Sequence, residues 1–233
     1  MMKNSLNIIL SFFCIFLYHV YAQAQNTRFS SGVFPEASLS YKLNETYSIT
    51  HKIESQHGLF DKTSQLNKEL EYNHVLTDLQ SFISRKISPY VKINLGYQYR
   101  IEDGENTHRP IQQLSILQRE SRFRIGHRVR TDQTFFKEAE ILWRFRYRLK
   151  GQIPLQGFEL DPGEKYLSIS NEVIYMNQNG EDDIENRFTT SLGFYFNDKN
   201  KLEIGFDYRT DDYLVEDRFR HRLWLKIGYY KSI

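Results

Sequence analysis

From Glu138 to Lys150 the chain reads EAEILWRFRYRLK, and this stretch restricts the possible folds more than any other. Ile141, Trp143, Phe145, Tyr147 and Leu149 recur at every second position, with Glu140, Arg144, Arg146, Arg148 and Lys150 between them. Side chains alternate faces along a strand, so a period of two predicts one apolar and one charged face. Drawn as a helix, the same residues would spread arginine and aromatic side chains around the circumference and leave no apolar stripe to bury. The fold must therefore enclose two chemically opposite faces of one strand.

The pattern recurs along the chain. Gly, Pro, Asn and Asp clusters delimit strands at 33–43, 47–57, 66–77, 79–87, 90–101, 111–119, 122–132, 138–150, 164–176, 186–196, 201–210 and 218–230. That makes about twelve strands, with ten possible because alternation breaks in 66–77, 79–87 and 111–119. The charged faces together carry many more Lys and Arg than Asp and Glu. A soluble sandwich would turn such a face to water, whereas a membrane barrel turns it to the lumen. Phe and Tyr number 17 and 16 while mean hydropathy is only −0.59. A barrel averages as hydrophilic in this way because half of every strand faces a polar interior. The expected fold is all-β, a single antiparallel transmembrane β-barrel; a soluble periplasmic barrel or sandwich that binds ligands is the alternative.

The beginning of the chain supplies an address. Lys3 precedes an apolar run from Ile8 to Val20, and Ala22-Gln23-Ala24 forms a small-x-small site, so residues 1–24 read as a cleaved secretory signal and 25–233 as one barrel domain. The single cysteine, Cys14, lies inside the apolar run after Phe13, where a lipid-anchoring site would want a small residue. The mature chain then offers no thiol. A net charge of +2 gives no bulk attraction to nucleic acid.

If the strand count is even, both termini share the inner side and alternate connections share a rim. The connections 102–110, 177–185 and 211–217 then fall outside and the tight ones at 88–89, 120–121 and 197–200 inside, with 44–46, 58–65 and 151–163 against the trend.

The segments RFRYRL at 144–149, EKYLSISNE at 164–172 and IENRF at 184–188, with an aromatic closing strand, resemble the family called domain of unknown function 2490. The resemblance would span nearly all of 25–233. It implies an outer-membrane β-barrel of Gram-negative bacteria without a defined activity, and it carries over no catalytic residue. The end of the chain is similar to the signal by which such barrels are recognised for insertion, with Lys226, Gly228, Tyr229 and Tyr230 in place and Lys231 and Ile233 departing from it. The implied partners are the barrel-assembly machinery, the bilayer and the outer-membrane lipids.

The residues expected to line the lumen are Arg122, Arg124, Arg128, Arg130, Glu140, Arg144, Arg146, Arg148, Glu172, Arg187, Glu203, Asp207, Arg209, Arg218, Arg220, Arg222 and Lys226. They could form an anion-selective passage or an ion-paired plug. An acidic set, Glu102, Asp103, Glu105, Glu181, Asp182, Asp183, Asp211 and Asp212, with Glu185, Glu216 and Asp217, is expected in outer loops, solvated or bridged by hard cations. No loop has the ligand spacing of a calcium hand. A lipid-modifying enzyme is the second class, and it would need Ser and His on the outer wall. His51, His74, His127 and His221 fall on outward faces, without a Ser and a polar third partner that spacing identifies; Ser40, Ser115 and Ser191 remain open. His57, His74 and His108 lack metal-ligand spacing. The chain reads as cofactor-free and non-enzymatic, with a structural or narrow-channel role for small anionic solutes.

Overall fold

The computed structural model describes residues 27–63, 69–120, 122–215 and 219–233. The expected signal segment with Cys14, together with Glu216, Asp217 and Arg218, lies outside the described residues. Eleven strands follow one another: β1 (Thr27–Lys42), β2 (Tyr47–Thr63), β3 (Glu69–Lys86), β4 (Val91–Glu102), β5 (Thr107–Arg119), β6 (Arg124–Thr134), β7 (Leu142–Pro154), β8 (Lys165–Gln178), β9 (Glu181–Asn197), β10 (Asn200–Asp211) and β11 (Phe219–Ser232). Each pairs antiparallel with its neighbour in sequence, and β1 closes on β11 to make a barrel. The closing ladder is parallel, from Thr27↔Phe219 to Ser40↔Ser232. An odd number of up-and-down strands can close in no other way.

The count of eleven comes from one region. The two strands expected at 66–77 and 79–87 are a single strand, β3. From Leu76 it alternates cleanly, with Leu76, Asp78, Gln80, Phe82 and Ser84 buried and Leu79 and Ile83 exposed. The broken alternation before Leu76 lies where register shifts at Gln56/His57 and Gly58/Phe60 interrupt its pairing with β2. With eleven strands, the shared-side placement of the termini is corrected. Thr27 sits at one rim, and Ile233 sits at the other, where its amide donates to the Ser40 carbonyl at 2.9 Å.

Burial is inverted relative to a water-soluble domain. Asp132 is 0% exposed and Glu36 6%, whereas Phe206 is 52% and Leu95 62% exposed. Along the strands most charged side chains point into the barrel and most aliphatic and aromatic ones out, with Phe34, Phe82, Tyr166 and Trp224 among the buried exceptions. Two inward aromatic rings lie flat on glycines of the neighbouring strand. A Cβ on Gly96 would stand 2.3 Å from the Phe82 ring, and one on Gly193 would stand 2.1 Å from that of Tyr166. These glycines leave the room that large rings need inside a narrow cylinder.

Among the described residues, the connections at 103–106, 135–141, 179–180 and 212–215 share the rim of Thr27, and those at 43–46, 87–90, 122–123, 155–164 and 198–199 share the rim of Ile233. Loop length therefore does not separate the rims as expected, since the turn at 179–180 is among the shortest and 155–164 is the longest. The expected acidic set does share one rim: Glu102, Asp103, Glu105, Glu181, Asp182, Asp183, Asp211 and Asp212 all gather at the Thr27 end, while Glu45, Glu120, Glu159, Asp161, Glu164 and Asp198 lie at the other.

Candidate functional site

Inside the barrel the strands enclose a cavity of about 320 Å³. Among the described residues thirteen Lys and Arg side chains line it against seven Asp and Glu. Alternation along the strands delivers them: β7 contributes Arg144, Arg146, Arg148 and Lys150, β6 Arg128 and Arg130, β9 Glu185 and Arg187, and β10 Glu203, Asp207 and Arg209.

Most of these charges are paired. On one wall Asp132, fully buried, gathers Arg144 at 2.5 Å, Arg146 at 3.0 Å and Arg109 at 3.5 Å. Glu172 on β8 takes Arg128 at 2.5 Å, and Asp78 takes Arg100 through two hydrogen bonds at 2.7 and 2.8 Å. On the facing wall Glu36 holds Lys226 at 2.9 Å and Lys52 at 3.0 Å, and Lys52 also reaches Glu54 at 2.6 Å. Glu185 binds Arg187 at 2.7 Å and Arg222 at 3.2 Å, and Asp207 binds Arg209 at 2.5 Å. Glu203 accepts from Lys150 at 3.2 Å and from the Tyr166 hydroxyl at 2.9 Å. Phe34 lies between two cations, with Arg209 and Lys226 each 5.0 Å from its ring centre. Such an interior holds its shape because Asp132, Glu36 and Glu185 each tie together cations from different strands.

The β5–β6–β7 wall is less well matched. Arg128 stands directly across from Arg148, and Arg130 from Arg146. Arg130 spends Nε and Nη2 on the neutral Gln113 Oε1 at 3.0 and 2.8 Å, with its guanidinium 5.5 Å from the Phe82 ring centre.

A family model for proteins of unknown function, DUF2490, matches residues 31–225, most of the barrel. The chain belongs to the DUF2490 family. Among curated proteins none matches it. The solved structures include a similar chain, the siderophore receptor PirA from Pseudomonas aeruginosa. The two are 16% identical with a TM-score of 0.33 over 75% of this chain, which spans 34% of the receptor chain.

Within this DUF2490 barrel the structure places Arg128, Arg130, Arg144, Arg146, Arg148, Glu172, Arg187, Glu203, Asp207, Arg209, Arg222 and Lys226 on the central cavity. Others among the expected lumen residues lie elsewhere. Arg122 is in the turn before β6 with its guanidinium 4.4 Å from the Phe158 ring centre, and Glu140 is exposed in the turn before β7, because both strands begin later than alternation suggests. Arg124 opens β6 at the Ile233 rim, in a small recess with Phe158 and Tyr166. Arg220 sits at the opposite rim and pairs with Asp212 at 3.2 Å. Asp211 is not a free loop carboxylate but a buried partner of Arg222 at 3.0 Å, and Glu185, expected in a loop, is buried inside β9.

Glu36, Asp78, Arg109 and Asp132 complete the lumen and escape the sequence reading. Arg109 falls where a loop is expected, although Thr107, Arg109 and Ile111 keep the period of two. Asp132 sits at the very end of an expected strand, where its facing Arg144 is invisible in one dimension.

All histidines among the described residues point outward and pack on other polar or aromatic groups. His127 meets the Tyr147 hydroxyl at 2.8 Å, His221 that of Tyr208 at 2.5 Å, His57 that of Tyr72 at 2.9 Å, and His74 bonds Thr77 at 2.8 Å. His108 contacts Tyr97. His51 Nδ1 bonds Ser81 Oγ at 2.9 Å, but no carboxylate among the described residues hydrogen-bonds to that histidine. Ser40 bonds Thr50, Ser115 bonds Asn94 and Gln113, and Ser191 faces Glu203 in the lumen. His57 and His74 are neighbours, with ring centres 5.6 Å apart, whereas His108 lies beside Tyr97 and Tyr99.

Proposed function

We propose that this DUF2490 barrel is exported by its cleaved N-terminal signal, spans the outer membrane, and gives small anions a narrow path through an ion-paired lumen. The observation that carries this reading is the inversion of the wall. An apolar exterior is stable against hydrocarbon and a surplus of cations is stable only around water or anions, so the two faces together call for a bilayer outside and an anion-compatible interior inside. Ion pairs occupy much of the bore, and a cavity of about 320 Å³ favours a low conductance over that of an open porin. Lipids of the outer membrane and the assembly machinery are the partners, and the reading assigns no catalysis.

The test is purification of the mature chain from membranes in detergent, followed by single-channel recording in a planar bilayer under a salt gradient. Small discrete openings with a reversal potential on the anion side are expected. Silence from a barrel whose folding is verified by heat-modifiable gel migration would replace the path by a sealed ionic plug with a structural role. Release of the protein by osmotic shock without detergent would remove the membrane itself.

A further inference from the structure

Like charges directly opposite each other on neighbouring strands are destabilising, and β6 and β7 carry two such pairs in succession, Arg128↔Arg148 and Arg130↔Arg146. Four guanidiniums thus form a compact patch on one wall of the cavity. Their local counter-charge is two carboxylates for four guanidiniums. Glu172 holds Arg128 at 2.5 Å and stands directly opposite Arg148 on β8, and Asp132 is shared among Arg146, Arg144 and Arg109. Arg130 has the neutral Gln113 and the Phe82 ring, and neither Arg130 nor Arg148 has a carboxylate within salt-bridge distance among the described residues. The buried Nε of Arg128 and the Nε2 of Gln98, both on the same cavity, have no hydrogen-bond acceptor. Glu36 Oε2, Asp132 Oδ2 and Arg146 Nε also lack well-angled hydrogen bonds, but each stands within 3.0 Å of an opposite charge and is ion-paired. Elsewhere on the cavity Gln56 Oε1 and Arg222 Nε are also unmet, but what is left unmet on β6, beside the four guanidiniums, is a cationic donor.

The geometry points to a binding site for a phosphoryl dianion at this patch, with Arg130 and Arg148 as its principal ligands and Arg128 Nε and Gln98 Nε2 as further donors. A tetrahedral oxyanion matches forked guanidinium donors better than a spherical halide does, and it would offset two adjacent like-charge pairs at once. The inference deepens the anion reading above and rests on the same lumen. Its ligand is either free phosphate or the terminus of a small phosphate ester.

Calorimetric titration of the detergent-solubilised barrel at constant ionic strength tests it, with inorganic phosphate, glycerol phosphate and chloride as probes. Phosphate or glycerol phosphate should bind saturably, and chloride should not compete at equal concentration. The tighter of the two phosphates identifies the source. Arg130→Gln with Arg148→Gln should weaken binding by roughly tenfold or more, while the outward Arg85→Gln should leave it unchanged. If the double variant does not fold, Arg148→Gln alone serves, since it separates no ion pair. Binding no stronger than that of chloride, or unaltered by Arg148→Gln, overturns the site. Anion currents without phosphate binding would overturn the site and leave the channel standing; phosphate binding without anion currents would do the reverse.

Discussion

Asp132 gathers three guanidiniums, more than any other carboxylate among the described residues, because it stands with no exposure between β5 and β7. Removing one member of a buried charge group leaves the others unpaired, and this costs more than the pair itself contributes. Asp132→Asn is therefore expected to destabilise the barrel by about 3–5 kcal/mol, read as a lower temperature for loss of heat-modifiable migration. Arg109→Gln, which removes the most distant of the three partners, should cost clearly less; equal losses would mean that Asp132 does not organise the group. At this scale the sequence was legible wherever a charged residue held a place in an unbroken alternation, as Arg144, Arg146 and Arg148 do. It was not legible where function depends on what stands opposite. Nothing in the local sequence of Asp132 or Glu185 distinguishes a carboxylate at a strand end inside the barrel from one solvated at its rim.

Among the elements, β7 and β11 could be read with their faces because neither pairs across a register shift, and β10 because its shift against β9 falls at its first residues, Asn200/Lys201, whereas β3 could not. The register of β3 against β2 shifts twice, and each shift moves the side chains after it relative to the partner strand, so its pattern looks like two strands with a break. That single misreading changes the parity of the barrel and hence the sense of the closing ladder, which is a non-local property that periodicity does not encode. The parallel seam makes a specific claim, since it pairs outward Ala37 with outward Tyr229. The described chain contains no cysteine, so Ala37→Cys with Tyr229→Cys introduces an isolated pair. Under mild oxidation a disulfide between them is expected, together with a shift in gel migration of the unfolded form that reductant reverses. Closure of an even-stranded barrel would run antiparallel, would change this register, and would leave the two thiols free.

For the molecule as a whole, the outward wall decides between a bilayer and water as the surrounding medium. Phe206 lies midway along β10, 52% exposed, with outward Leu225 on the next strand, 37% exposed, directly opposite. In a soluble periplasmic protein an exposed aromatic position accepts a charge with little change in stability, because water already solvates it. At the midplane of a bilayer the same charge must be buried in hydrocarbon or drag water and headgroups inward, at a cost of about 2–4 kcal/mol. Phe206→Arg should therefore lower the fraction of chain recovered as heat-modifiable barrel from membranes. The inward Thr189→Arg would test a different property, since it adds a cation to a lumen already rich in them. A second outward substitution close to a rim, Tyr229→Arg, should be far milder than Phe206→Arg, because the cost falls towards the interfaces. A graded loss that is deepest at Phe206 and shallow at Tyr229 is the signature of a hydrocarbon slab around the barrel. Equal tolerance at both positions would mean that the apolar wall is covered by something other than lipid, and the anion path would then lose the membrane it is proposed to cross.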